Sequence, residues 1–426
     1  MEQQAILAIG IFLVIYGLII AEKIHRTIVA MIGAVLMIGL GIIDQETAMH
    51  HIDFNTLGLL IGMMIIVSIT AETGLFKYVA VLAAKKSKGE PVRILIALAL
   101  ITAVASAFLD NVTTVLLIVP VTFSITRQLR VHPFPFLFTQ ILASNVGGTA
   151  TLIGDPPNIM IGSAVEELTF MAFIENLAPI VIIIMLTYVP VFIWLFRKQL
   201  KTTDELKRGI MDMNENGLIT DKKLLNKCLF VLGITILGFF LHQLVHLESA
   251  TVALAGAFLL LLLTGEHMME NALAKVEWPT IFFFVGLFVL VSGLVETGVI
   301  AELAAKAIDL TGGDVAATSM LILWLSAIAS SFLDNIPFVA TMIPMIQEMG
   351  NMGVTNLEPL WWSLSLGACL GGNGTLIGAS ANLIVAGLSG KEGYPIKFID
   401  YLKLGFPLMI LSIVLSSIYI YLRYLI

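Results

Sequence analysis

Phe108-Leu109-Asp110-Asn111 returns as Phe332-Leu333-Asp334-Asn335, 224 residues further along the chain. Two more matches share that offset: Thr151-Leu152-Ile153-Gly154 with Thr375-Leu376-Ile377-Gly378, and Glu72-Thr73-Gly74 with Glu296-Thr297-Gly298. One such match in an apolar sequence is easily an accident, but three at a common offset are a duplication. The chain is therefore read as two repeats, 1–199 and 227–426, joined by a polar linker over 200–226. Each copy carries polar residues and a Gly cluster inside hydrophobic segments. Duplicated halves with interrupted apolar helices are the pattern of a secondary transporter whose site lies between the halves.

Composition agrees with a membrane protein. Of 426 residues, 58% are hydrophobic and 12% charged, against about 25% charged in soluble domains. About ten apolar stretches approach the roughly 20 residues that a spanning helix needs. The first begins almost at once and lacks a small-residue cleavage pattern, so it reads as a retained helix. Two cysteines, Cys228 and Cys369, give neither a disulfide framework nor metal-ligand spacing. His242 and His246 are four apart but have no third ligand nearby. Nothing points to a soluble catalytic domain, so the chain is not read as an enzyme. No cofactor, bound metal or nucleic-acid partner is expected; the bilayer and a small ion or anion are.

Spans are expected at roughly 4–21, 27–43 and 56–75, followed by a polar-tipped pair at 93–109 and 112–127, a break near 147–157, and a span at 178–197. The second half repeats that order at 228–246, 250–264, 279–297, 317–333 with 336–349, 371–381 and 404–422. If each polar-tipped pair is a re-entrant hairpin, each half has five spans. An odd number inverts the second half relative to the first. The distribution of Lys and Arg gives an independent check. With both termini outside, the cytoplasmic segments collect Lys23, Arg26, Lys77, Lys85, Lys86, Lys88, Arg93, Arg127, Arg130, the linker, Lys275, Lys391, Lys397 and Lys403, and only Lys306 and Arg423 fall outside. Segments 44–55 and 163–177 contain acidic residues but no Lys or Arg. The expected fold is an all-α polytopic membrane protein of two inverted-topology repeats, each of about five transmembrane helices plus a re-entrant helical hairpin and one broken helix. Re-entrance itself rests on the two-residue turn at Asp110-Asn111 and on flanking helices read as about 16 residues long, marginal for a span.

Two constellations carry the chemistry. The first is Ser106, Asp110, Asn111, Thr113 and Thr114, mirrored by Ser330, Ser331, Asp334, Asn335 and Pro337. A carboxylate within a membrane-spanning region is costly unless it faces water, a partner or a ligand. At a hairpin tip, the N–H groups that open the second helix add partial positive charge, and the Asp can bind a cation or proton. Asp is also a strong N-cap, and both roles are compatible. The second constellation is the run Ser144 to Asn158, with Asn145, Gly147, Gly148, Thr149, Thr151, Asp155 and Asn158, matched by Gly371 to Asn382, with Gly372, Asn373, Thr375, Ser380 and Asn382. Small residues alone would suit close helix packing. Asp155-Pro156-Pro157 does not fit a continuous helix, so unwinding is expected, freeing carbonyls for Na+ and amides for anions. Asn158 and Asn382 follow the break, where they can cap the second half-helix or contact substrate. Asp155 pairs with Ala379 and Thr113 with Pro337, which puts proton or cation coupling on the side of Asp155. Glu72 and Glu296 are expected near opposite interfaces, as capping or gate contacts.

FLDNVTT…VP at 108–120 followed by SNVGGTATLIGDPPN at 144–158 resembles the ion transporter superfamily, specifically the ArsB/NhaD-type permeases and the branch that includes the melanocyte P protein. The resemblance covers nearly the whole chain. It implies a division into scaffold and transport layers, a homodimer and elevator-like movement. Relatives carry Na+ and a substrate carboxylate at the hairpin tips, where this chain has Asp110-Asn111 and Asp334-Asn335, acidic groups that would repel a dicarboxylate. The resulting expectation is a secondary active transporter of small ions in the cytoplasmic membrane, H+- or Na+-coupled and of the antiporter type (Na+/H+ exchange or arsenite/anion efflux). The other readings are a sodium-coupled dicarboxylate or divalent anion symporter, an anion channel, and, lacking its GxGD motif, an intramembrane aspartyl protease. Na+ is a candidate ligand of Asp110, Asn111, Asp334 and Asn335.

Overall fold

The computed structural model describes residues 2–21, 23–242 and 246–426. Its helices come in matched series. The first half runs α1 (Glu2–Ala21), α2 (Arg26–Gly39), α3 (Gln45–His50), α4 (Phe54–Glu72), α5 (Leu75–Lys86), α6 (Pro91–Phe108), α7 (Asn111–Leu129), α8 (Phe134–Gly148), α9 (Pro156–Ala164) and α10 (Phe170–Phe196). A linker helix α11 (Asp204–Met211) follows. The second half repeats the series as α12 (Lys222–Leu241), α13 (Ser249–Thr264), α14 (Met269–Ala274), α15 (Trp278–Glu296), α16 (Val299–Thr311), α17 (Val315–Phe332), α18 (Asn335–Asn351), α19 (Glu358–Gly371), α20 (Ser380–Lys391) and α21 (Phe398–Tyr424). Among the described residues nine helices are long and apolar enough to cross a membrane, and no strand is present. Of the span expected at 228–246, the helix ends at Leu241; residues 243–245 lie outside the described residues.

The helices form two layers. In one, α2 packs along α15 and α4 along α13, with α1 and α12 outside them. The register is set by small residues: Gly62 lies against the Ala253 backbone, and Gly286 against the Ala30 backbone, so closely that a Cβ would sit 2.6 and 2.7 Å from the facing carbonyl carbons. In the other layer α6 packs along α8 and α17 along α19, while α7 meets α20 and α18 meets α9 across the halves. The amphipathic helices α5 and α16 connect the layers. The outer faces are apolar and open, as lipid requires: Ile6, Leu13 and Leu262 are exposed.

The inversion is visible in α4 and α15, the third long helices of their halves. His51, just before α4, bonds Glu296 at the end of α15 at 2.9 Å. Glu72 at the end of α4 pairs with Lys275, just before α15. Equivalent helices thus lie side by side and antiparallel, which only an upside-down second repeat allows. The two glutamates make contacts at opposite ends of this pair.

One expectation needs correction. The hairpin arms are 18 and 19 residues in the first half and 18 and 17 in the second, not about 16, because polar residues at their far ends remain helical. Length therefore does not argue for re-entrance; the buried meeting of the tips does. The linker over 200–226 is itself ordered. It holds α11, docks through Lys85–Glu215 and Lys207–Glu90, and gives way to α12 at Lys222. The ion pair with Lys85 holds the Glu215 carboxyl below its usual range.

Candidate ion-binding site

Each hairpin tip is made by the same local rules. Leu109 and Leu333 are extended, so α6 and α17 stop there, and the following Asp caps the next helix. Asp110 Oδ1 accepts from the Thr113 N–H at 2.9 Å, and its Oδ2 accepts from the Thr113 hydroxyl. Pro337 stands where Thr113 stands in the first half, and it offers neither donor. Asp334 Oδ1 accepts instead from the Ile336 N–H at 3.2 Å. Its Oδ2 is left free for Arg26, which forms an ion pair with it, and for Ser380 Oγ at 3.2 Å. Asp334 is thus not an open cation ligand in this arrangement, contrary to the expectation for the second tip.

The broken helices supply the rest. Between α8 and α9 the chain unwinds over 149–155, and between α19 and α20 over 372–379. Pro156 can only begin a helix, which fixes the restart of α9. Gly154 passes so near the hairpin that a Cβ would lie 2.6 Å from the Ser106 carbonyl oxygen and 2.5 Å from that of Gly148. Gly378 repeats that approach against Ser330 and Gly372. Thr151 donates to the Ala107 carbonyl and Thr375 to that of Ser331, tying each loop to its hairpin. Asn158 Nδ2 donates to the carbonyls of Thr149 and Thr151 at 3.1 and 2.9 Å; Asn382 does the same to Gly372 and Thr375 at 2.7 and 2.8 Å. Beside the capping and substrate-contact roles expected of Asn158 and Asn382, both amides span the break and brace it.

Their other ends join the halves. Asn145 Nδ2 donates to Asn382 Oδ1 at 3.0 Å and to Asn373 Oδ1 at 2.9 Å. The residue equivalent to Asn145 in the second half is Cys369, and its thiol reaches Asn158 Oδ1 at 3.5 Å, with Ser365 at 2.5 Å. Asn111 Nδ2 continues the chain to Asn145 Oδ1 at 3.2 Å. Gly147 packs on Ala103, and the Thr149 hydroxyl returns to its own helix at Asn145 O.

Both tips reach one cavity of about 30 Å3, whose lining includes Asp110, Asn111, Asp155, Asn335, Ser380 and Arg26 together with Glu277 and Thr280. That is room for about one water-sized species. Asp155 is 1% exposed. Its Oδ1 accepts from Asn335 at 3.4 Å, while Oδ2 is buried with no partner. Ser106, Thr114 and Ser330 hydroxyls and Asn373 Nδ2 are likewise buried and unpartnered. Among the described residues no ion pair reaches Asp110 or Asp155, and no group of three metal-ligating side chains occurs. Carboxylate, hydroxyl and amide oxygens suit a proton or a hard cation.

Arg26, Glu277 and Thr280 escape the sequence reading as site residues. Arg26 has no signal, because the offset of 224 puts the uncharged Ala250 in its place. The other two had one: Glu277 and Thr280 repeat Asp53 and Thr56 at the offset of 224, with the same hydroxyl-to-carboxylate bond inside each pair.

Comparison with known proteins gives a consistent frame. A family profile described as "Citrate transporter" matches residues 16–367. An uncharacterized transporter of Mycobacterium tuberculosis is 42% identical over 427 residues, covering 99% of each chain. A 46 kDa membrane protein of Mycobacterium leprae is 41% identical over 99% of this chain and 100% of its own. The P protein of Homo sapiens is 36% identical over 98% of this chain, which spans 60% of that protein. The crystal structure of the YdaH transporter from Alcanivorax borkumensis, described as having an unusual topology, superposes with a TM-score of 0.58 at 13% identity, over 98% of this chain and 97% of that one; that likeness is one of fold. The chain belongs to the citrate transporter family and is a multi-span membrane protein of transporter type.

Proposed function

From that membership and this site, we propose that the protein is a secondary active transporter that couples movement of a small ion to H+ or Na+ at Asp110 and Asp155. The carrying observation is Asp155: a buried carboxylate with a free oxygen, no cationic partner, and a cavity shared by both hairpin tips. An ionised carboxylate so placed is strongly disfavoured without a counter-charge. It therefore holds a proton or a cation, and alternation between loaded and unloaded forms is what coupling requires. The two-layer build suits alternating access by movement of the hairpin layer against α2, α4, α13 and α15. We place the protein in the cytoplasmic membrane as a homodimer, with the linker cytoplasmic, both termini outside, and no catalytic activity.

The cargo favoured is a cation, in exchange with H+. Citrate, which the matched family's description names, would meet Asp110, Asp155 and Glu277 against the single guanidinium of Arg26, itself already paired with Asp334. Arg26 and the helix starts at α7, α9, α18 and α20 are the features that favour the second reading, a sodium-coupled carboxylate symporter.

The test is flux in proteoliposomes holding a pH-sensitive dye. Na+, Li+, arsenite, chloride and citrate are added separately after a pH jump. We expect dye movement with a monovalent cation, lost in Asp155→Asn. Full pH-coupled flux in that variant overturns the assignment, and dye movement with citrate alone selects the symporter.

A further inference from the structure

The two tips carry the same Asp-Asn pair but meet different surroundings on the facing layer. Arg26 opens α2, and its guanidinium pairs with Asp334, donates to Ser380 Oγ at 3.0 Å and lies over the Phe283 ring at 4.8 Å. Its side chain is 27% exposed and that of Asp334 14%, so the pair is shielded on most sides. Register within the layer gives the counterpart. Thr27 donates to the carbonyl of Pro279, and Asn55, equivalent to Pro279, accepts from the N–H of Ala250. Thr27 thus matches Ala250, and Arg26 matches Ser249, which has no charge. Asp110 correspondingly has its own Thr113 as partner and no cation.

We propose that Arg26 is a tethered cation at the second hairpin tip, so that in this arrangement the protein binds an exchangeable cation at the first tip alone. The inference rests on the proposed cation coupling and adds how many cations it uses. Three features independently support it. Pro337 removes the two donors that occupy the carboxylate in the first half, turning Asp334 Oδ2 toward the guanidinium. Ser380, which replaces Pro156, holds that same oxygen and the guanidinium together. Asp155, which could compete for Arg26, instead faces Asn335 and is replaced by Ala379 on the Arg26 side. Arg is suited to this post, because its charge is permanent and its planar donors fit a carboxylate. Arg26 belongs to the α2 layer and Asp334 and Ser380 to the hairpin layer, so sliding of the layers must separate the pair.

The test compares wild type, Arg26→Lys, Arg26→Ala and Arg26→Ala with Asp334→Asn in proteoliposomes, each checked by thermal unfolding in detergent. Flux is measured against the concentration of the coupling ion, Na+ or H+. In wild type the dependence has a Hill slope near one. Arg26→Ala loses at least about tenfold in flux at low ion concentration, an effect of about 1.4 kcal/mol or more. It regains flux at high concentration with a slope approaching two, as a free cation fills the vacated place. Added guanidinium restores it, Arg26→Lys keeps a slope of one, and the double variant recovers flux by removing both charges. A wild-type slope of two, or Arg26→Ala indistinguishable from wild type, overturns the inference while leaving cation coupling intact. Wild-type protein without cation-coupled flux overturns both. If Arg26→Ala fails to fold, the double variant decides: recovery of folding and flux with slope one supports the tethered charge, and a folded but silent double variant overturns it.

Discussion

The two hairpin tips come from one duplicated sequence and from helices of nearly equal length, yet they differ in chemistry. At the first, Asp110 is turned inward on its own Thr113 and shares a cavity with Asp155, and neither carboxylate is ion-paired. At the second, Pro337 withdraws those donors, Ala379 replaces Asp155, and Arg26 arrives from the other layer. Backbone and bracing are conserved between the copies: the Leu-Asp-Asn turn, the threonine tie from loop to hairpin, the asparagine that spans the break. Charge is not conserved. Duplication has preserved the frame, while substitution at three or four positions has divided the work, giving one copy a site for a mobile charge and the other a fixed one.

The strongest way to break this comparison is at Asp155. Asp155→Asn keeps the shape and the bond to Asn335 and removes the titratable group. Coupled flux is expected to fall by about 100-fold or more, the scale seen when a positioned proton carrier is lost, with little change in unfolding temperature. Equal loss of stability and flux would make Asp155 a structural residue.

Gly154→Ala and Gly378→Ala test the frame that both copies share. Each methyl would meet two backbone carbonyls, so each variant is expected to lose about 1–3 kcal/mol of stability by overpacking, read as a lowered unfolding temperature. Gly233→Ala, with nothing within 4 Å, is the neutral control. A pronounced difference between Gly154 and Gly378 would show that the frames are not equivalent.

Pro337→Thr sharpens the comparison by giving the second tip the donors of the first. Asp334 is expected to turn onto the new hydroxyl, weakening its pair with Arg26 and lowering flux by several-fold. An unchanged flux would mean that Pro337 does not direct the carboxylate.

The smallest effect lies at the linker. The Glu215 carboxyl is held below its usual range by Lys85, so this contact contributes fully above the unfolded carboxylate range and is lost as pH falls below that range and through the lowered folded-state value. Limited proteolysis of 200–221 is expected to quicken in acid and in Lys85→Ala at neutral pH, with flux little altered.

Much of this was legible in the sequence. The offset of 224 gave the pairing of helices, and the odd span count together with Lys and Arg placement gave the inversion, which His51–Glu296 and Lys275–Glu72 display directly. The Gly loops and the Asp-Pro-Pro break also mark themselves, because no continuous helix accepts them. Arg26 did not, because a repeat comparison finds what both halves have, and Arg26 matters for being in only one. It also comes from a different layer, 308 residues from Asp334, so no local pattern joins them. The bracing role of Asn158 and Asn382 was similarly hidden, since the same amide beside a break can cap, bind or brace, and only the loop's path decides.

The central claim is that the first tip carries the mobile charge and the second a fixed one. The most direct test is pH-dye flux in proteoliposomes with two variants side by side, Asp155→Asn and the double neutralisation Arg26→Ala with Asp334→Asn. The account predicts a silent Asp155→Asn and an active double variant, each folded. An active Asp155→Asn beside a silent double variant would contradict it, placing the exchangeable cation at the second tip.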